Sequence, residues 1–213
     1  MSDPQRAVAP KRALIEGQPV LIVVDIQGEP TVSDTPPAIP AMPGYDERLE
    51  GVPALIASAR AADVPIIFFQ EAHRRNLIDF GRELDGAEDI HLLEGDPGTE
   101  YWSGLAIRDD DYIIRKRRYS CFFGTELEIL LKGLRADTLL LVGGHTDVCV
   151  HYTFVDAHQH DYFVRVVEDC VAGSSVEAHQ ASLNAMEYLQ AGAVTSSAEV
   201  SAGLAAYCSP SSS

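Results

Sequence analysis

Short, unbroken apolar runs alternating with amphipathic stretches limit this chain to few architectures. Val20-Leu21-Ile22-Val23-Val24 is the clearest run, unbroken and β-branched except at Leu21, the pattern of a strand buried on both faces. Residues 64–69 repeat it, with Pro65 tolerable near a strand's first residue. Shorter or weaker versions occur at 111–114, 139–142, 162–167 and 193–195. Between them, helical periodicity runs over 45–62 (Leu49, Val52, Leu55, Ile56, Ala59), 125–134, 147–160, 176–190 and 196–207. Pro53 sits awkwardly in the first of these, where it should break or kink a helix. Strands alternating with helices imply an α/β fold: three layers, α/β/α, around a six-stranded, mainly parallel sheet with right-handed crossovers. Residues 1–17 read as a flexible arm, 18–207 as one domain, and 208–213 as a disordered serine tail.

Charge narrows the partners. The formal net charge of −16 argues against nucleic acid, whose phosphates would be repelled, and against anionic membrane surfaces. No stretch reaches the roughly 20 apolar residues of a membrane-spanning helix. Met1–Arg6 lacks the apolar core of a signal peptide. Cys121, Cys149, Cys170 and Cys208 show no C-x-x-C spacing, so a reducing, cytoplasmic setting is expected.

Parallel strands put their carboxyl ends on one edge, where α/β proteins bind ligands. Asp25 and Gln27 follow the first run; Asp25 reads as a turn cap or as a site residue. Glu71, His73 and Arg74 follow the second, as substrate-selecting groups or as solvated surface. In Arg115-Lys116-Arg117-Arg118, after the third, most cations should be solvated or paired and one can turn into a site. After the fourth, Gly143-Gly144 break the run and Cys149 opens a helix-like segment. A helix N-terminus there would lower the thiol pKa and favour the reactive thiolate. The other reading of Cys149 is a small buried core residue. The 71–110 segment is irregular, and loops that long are usually functional or contact a partner. Trp102, Phe122, Phe123 and Tyr152 are candidate pocket walls or core. His151, His158 and His160 lie near one helix without a ligand set, and Gly143-Gly144 matches no phosphate-loop pattern.

Three pieces in register, Val23-Val-Asp-Ile-Gln27, Lys116-Arg-Arg-Tyr-Ser-Cys-Phe-Phe-Gly-Thr125 and Gly143-Gly-His-Thr-Asp-Val-Cys-Val150, resemble the isochorismatase-like cysteine hydrolases over roughly residues 18–195. The resemblance implies a Rossmann-like sheet of order 3-2-1-4-5-6 and a catalytic triad of Asp25, Lys116 and Cys149. It also implies an oxyanion hole from the backbone N–H groups of His145 and Cys149, and a cis peptide at Gly144–His145. In that order the third strand is separated from the first and fourth, so Lys116 should need its loop to carry it inward. The nicotinamidase branch carries a metal on an Asp-x-His element with further histidines near the second strand. Here only His73 falls near such a position and residues 28–70 hold no histidine, so no metal and no other cofactor is expected.

The subgroup it looks most similar to acts on ureido and carbamoyl compounds. The expectation is an amidohydrolase of a small, biuret- or triuret-like amide, assembled as a homodimer or homotetramer. The alternatives are vinyl ether hydrolysis of the isochorismatase type, and a catalytically silent small-molecule-binding protein on the same fold.

Overall fold

The apolar run at 20–24 divides its side chains between two cores, which is why it shows no polar alternation. Val20, Ile22 and Val24 enter one cluster, and Leu21 and Val23 the other. Leu139 and Leu141 likewise oppose Leu140 and Val142. The computed structural model describes residues 13–29 and 38–207. Most of the expected arm, the stretch 30–37 with Pro36-Pro37, and the tail with Cys208 lie outside the described residues.

Strands β1 (Gln18–Val24), β2 (Ile66–Glu71), β3 (Tyr112–Lys116), β4 (Ala136–Gly144), β5 (Phe163–Ala172) and β6 (Val194–Thr195) form one sheet of order β3-β2-β1-β4-β5-β6. Every pairing is parallel. Helices α3 (Leu127–Leu134), α4 (His151–Gln159) and α5 (Val176–Leu189) cover one face. On the other lie α1 (Tyr45–Leu49), α2 (Val52–Ala61) and α6 (Ser197–Ala206). Among the described residues, no helix is long and apolar enough to cross a membrane.

The helix expected over 45–62 is two. Gly51 caps α2 and Pro53 falls in its first turn, where the missing N–H costs nothing. Val52, Leu55, Ile56 and Ala59 then face the sheet at helical spacing. Residues 13–17 of the expected flexible arm are held. The buried Arg165 of β5 donates to the carbonyls of Ala13 and Leu14, and the Glu16 N–H donates to Thr138 Oγ1 at 2.9 Å.

Candidate active site

At the carboxyl edge, β1 and β4 end in register, Val24 against Gly143. The chain then turns sharply in both. Asp25 takes a left-handed φ of 48°, and Gly143 one of 113°, where a side chain would collide with the Val24 carbonyl. The Gly144–His145 peptide is cis. After it, Thr146–Val150 forms a single wide π-helical turn that leads into α4 and carries Cys149.

Lys116 needs no loop to bring it inward. It is the last residue of β3, paired in register with Glu71 at the end of β2. Its side chain lies across the end of β2, and Nζ reaches Asp25 Oδ2 at 2.7 Å. Nζ also donates to Cys149 Sγ at 3.4 Å and to Glu71 Oε2. The strand order thus puts β3 two spacings, roughly 10 Å, from β1, and a long extended side chain closes the gap. The neighbouring cations of the basic run face away. Arg115 donates to Gln70, Arg117 pairs with Glu94, and Arg118 donates to the Asp79 carbonyl.

Glu71 sits at the centre. Oε2 meets Lys116 and lies 3.7 Å from Cys149 Sγ, while Oε1 lies 3.2 Å from His73 Nε2 and 3.3 Å from His91 Nε2. Burial alone would raise its pKa, but Lys116 and the two histidines hold it well below the usual carboxylate range. Asp25 goes the other way, to about 6, because burial and the charge of Glu71 outweigh Lys116. Burial would strip Lys116 of its proton, yet Asp25, Cys149 and Glu71 keep its pKa well above the ordinary value.

The Cys149 thiol is pushed up, not down as its place at a helix start suggested. Burial is the main cause, and Asp25 and Glu71 add to it against Lys116. The resting group is therefore a thiol.

Above these groups opens a cleft of about 670 Å³, lined by Asp25, Cys149, Glu71, His145, the aromatic rings of Tyr45, Trp102 and Tyr119, and the side chain of Met42. Gln27 lines it too, but its amide is committed: Nε2 donates to the Glu71 and Thr99 carbonyls, and Oε1 accepts from the Glu71 N–H. It clamps β1 to β2.

Five other candidates stand elsewhere. His73 is fully buried behind Glu71, stacked on Phe80. Arg74 is exposed beside Asp79. Phe122 stacks on His160 and packs on the core. Tyr152 is 55% exposed, its ring beside that of Tyr119. Phe123, at 65% exposed, is neither wall nor core. Tyr45, Tyr119, Met42 and His91 escaped the sequence-based expectation, since nothing in their local pattern marks them.

Glu71, His73, Glu83 and His91 are all buried, with one ligand atom of each within 4.8 Å of the others. Glu83 Oε2 lies 3.1 Å from His73 Nε2, and among the described residues no other donor reaches either Glu83 oxygen. Two imidazoles and two carboxylates, buried and converging, fit a divalent transition ion. The lack of histidine in 28–70, on which the expectation of no metal rested, does not bear on this set. His91 and Glu83 come from the irregular 71–110 segment. Burial opposes protonation of His73, but Glu71 and Glu83 outweigh it and raise its pKa to about 9.

A family model described as the isochorismatase domain matches residues 19–200. Maleamate amidohydrolase from Pseudomonas putida is 28% identical over 170 residues, covering 78% of each chain. A ureidoacrylate amidohydrolase from Acinetobacter baylyi is 28% identical over 195 residues, covering 78% of this chain and 76% of its own. Among solved structures, a cysteine hydrolase from Pseudomonas syringae superposes with a TM-score of 0.81 at 28% identity, covering 94% of this chain and 99% of the other.

Proposed function

This chain belongs to the isochorismatase family, and we propose that it is a cysteine amidohydrolase that opens a C–N bond of a small amide or ureido compound through a thioester. One observation carries the reading: Lys116 Nζ stands 2.7 Å from Asp25 Oδ2 and 3.4 Å from Cys149 Sγ, on the floor of an open cleft. The amidohydrolases among its relatives support it.

Cys149, a thiol at rest, must lose its proton as it attacks. Asp25, with a pKa of about 6, takes that proton and is acidic enough to return it. Lys116 stays charged and offsets the negative charge that passes from carboxylate to sulfur. The carbonyl carbon becomes tetrahedral, and its oxygen is received by the backbone N–H groups of His145 and Cys149. Such a donor is typically worth about 100–1000-fold in rate. The C–N bond breaks as Asp25 protonates the departing amine, and ammonia leaves. Water then attacks the thioester with Asp25 again as base, restoring the thiol.

Glu71, His73, Glu83 and His91 would hold a divalent ion, which would supply Lewis-acid polarisation at the cleft wall. Biuret- and triuret-like compounds are the first substrates to try. Ammonia release from a panel of ureido and carboxamide compounds should vanish in Cys149→Ala and persist in Cys170→Ala. No turnover of any member by the intact protein would refute the proposal.

A further inference from the structure

We infer that the substrate carries no negative charge: its scissile amide is attached to a neutral or cationic remainder, not to a carboxylate. The inference rests on the amidohydrolase reading and deepens it. Charged groups on the cleft floor are paired among themselves, because Lys116 contacts Asp25 and Glu71, and Glu71 and Glu83 face His73 and His91. The mouth does not balance. Glu29, Asp46, Glu47 and Glu50 are exposed there and Glu88 is half-buried, all lining the cleft.

Among the described residues no lysine or arginine lines it, and Lys116 beneath is committed to Asp25, Glu71 and Cys149. Arg48, on the same short helix as Asp46 and Glu47, donates to the Glu168 carbonyl instead. The stretch 30–37, outside the described residues, holds Asp34 and no lysine or arginine.

A substrate carboxylate entering this cleft would be desolvated among like charges with no lysine or arginine to receive it, and a divalent ion on Glu71, His73, Glu83 and His91 would be neutralised by its own two carboxylates; this is the costly case of charge burial. A cation would be drawn in by the same field, and three aromatic residues, Tyr45, Trp102 and Tyr119, line the cleft it would enter. A neutral amide meets neither penalty nor pull.

Maleamide and maleamate share a skeleton and differ in charge, so they isolate the effect. With the full-length protein, kcat/KM should be at least about tenfold higher for maleamide at low salt, and the gap should shrink as sodium chloride is added. Glu47→Lys/Glu50→Lys should narrow it as well. A second measurement does not require turnover. Alkylation of Cys149 by iodoacetate, relative to iodoacetamide and normalised to glutathione, should be about tenfold or more disfavoured, and less so in the double variant.

Equal or preferred use of maleamate, or an iodoacetate ratio matching that of glutathione, would overturn the inference. It would mean that a cation such as Arg6, Lys11 or Arg12, or one from a second copy, serves the cleft. Failure to hydrolyse any amide, with the alkylation ratio as expected, would sink the amidohydrolase reading and leave the charge inference standing.

Discussion

Asp25, Lys116 and Cys149 on one side of Glu71, and His73, Glu83 and His91 on the other, are two buried charged groups built on the same rule with different outlets. In each, carboxylates are kept ionised in the interior by an adjacent cation. The first opens to the cleft through a nucleophile and a carboxylate whose pKa lies near neutrality. The second touches the cleft only through His91 and Glu71, and Phe80 closes over its back. The same pairing therefore serves a moving proton in one place and a fixed charge in the other. Glu71 belongs to both, so the position of Lys116 depends on the histidines.

The comparison breaks most visibly at Lys116. Lys116→Met and Cys149→Ala should each lower kcat by about 10,000-fold or more, since residues acting as a unit fail together. Their stabilities should diverge. Cys149→Ala removes a small neutral thiol and should stay within about 1 kcal/mol of the parent. Lys116→Met leaves Asp25 and Glu71 buried without their cation, a loss of about 3–5 kcal/mol. Urea denaturation of the three proteins measures this directly, and equal midpoints would show that Lys116 does not balance the buried charge.

In the closed group the next effect is proton-linked. His73 titrates at about 9 in the folded protein against 6.5 in the open chain. Its contribution is therefore complete below about pH 6.5 and is lost as pH rises through about 9. The shift corresponds to at most about 3 kcal/mol. In chelator-treated protein the urea midpoint should fall across that window, and His73→Phe should flatten the fall. Saturating zinc should flatten it too, because an ion on the four donors replaces the proton. An unchanged slope in the variant would remove His73 from the charge balance.

The two groups also differ in how much of them the sequence discloses. Strand runs at 20–24 and 139–142 are visible because both faces are buried, and Asp25 and Cys149 are fixed by following them. Lys116 is visible as one of four adjacent cations, but its direction depends on the register Glu71↔Lys116, which no local pattern contains. The partners of His73 are hidden further. Glu83 and His91 lie in a segment without periodicity and meet only through tertiary packing. The sign of the Cys149 shift is hidden for a related reason: a helix start is readable in sequence, whereas full burial between two carboxylates is not. Tyr152, exposed beside Tyr119, carries no local mark that tells cleft from solvent.

The smallest expected effect separates the two carboxylates that touch the nucleophile. Glu71 Oε2 lies 3.7 Å from Cys149 Sγ, close enough to rival Asp25 as the base. Its pKa argues against it, because a carboxylate held far below its usual range by Lys116 and two histidines is a weak proton acceptor. Asp25, raised to about 6 chiefly by burial, is matched to the task. The acid limb of kcat/KM should accordingly lie near pH 6, with activity falling below it as Asp25 becomes protonated. Glu71 is one of the charges that raise Asp25, so Glu71→Gln should move the limb to lower pH while leaving measurable turnover. Asp25→Asn should instead remove turnover. If Glu71→Gln were the inactive variant and Asp25→Asn retained a pH-rate profile, the base would be Glu71, and the division between a reactive group and a holding group would fall on the other side of that residue.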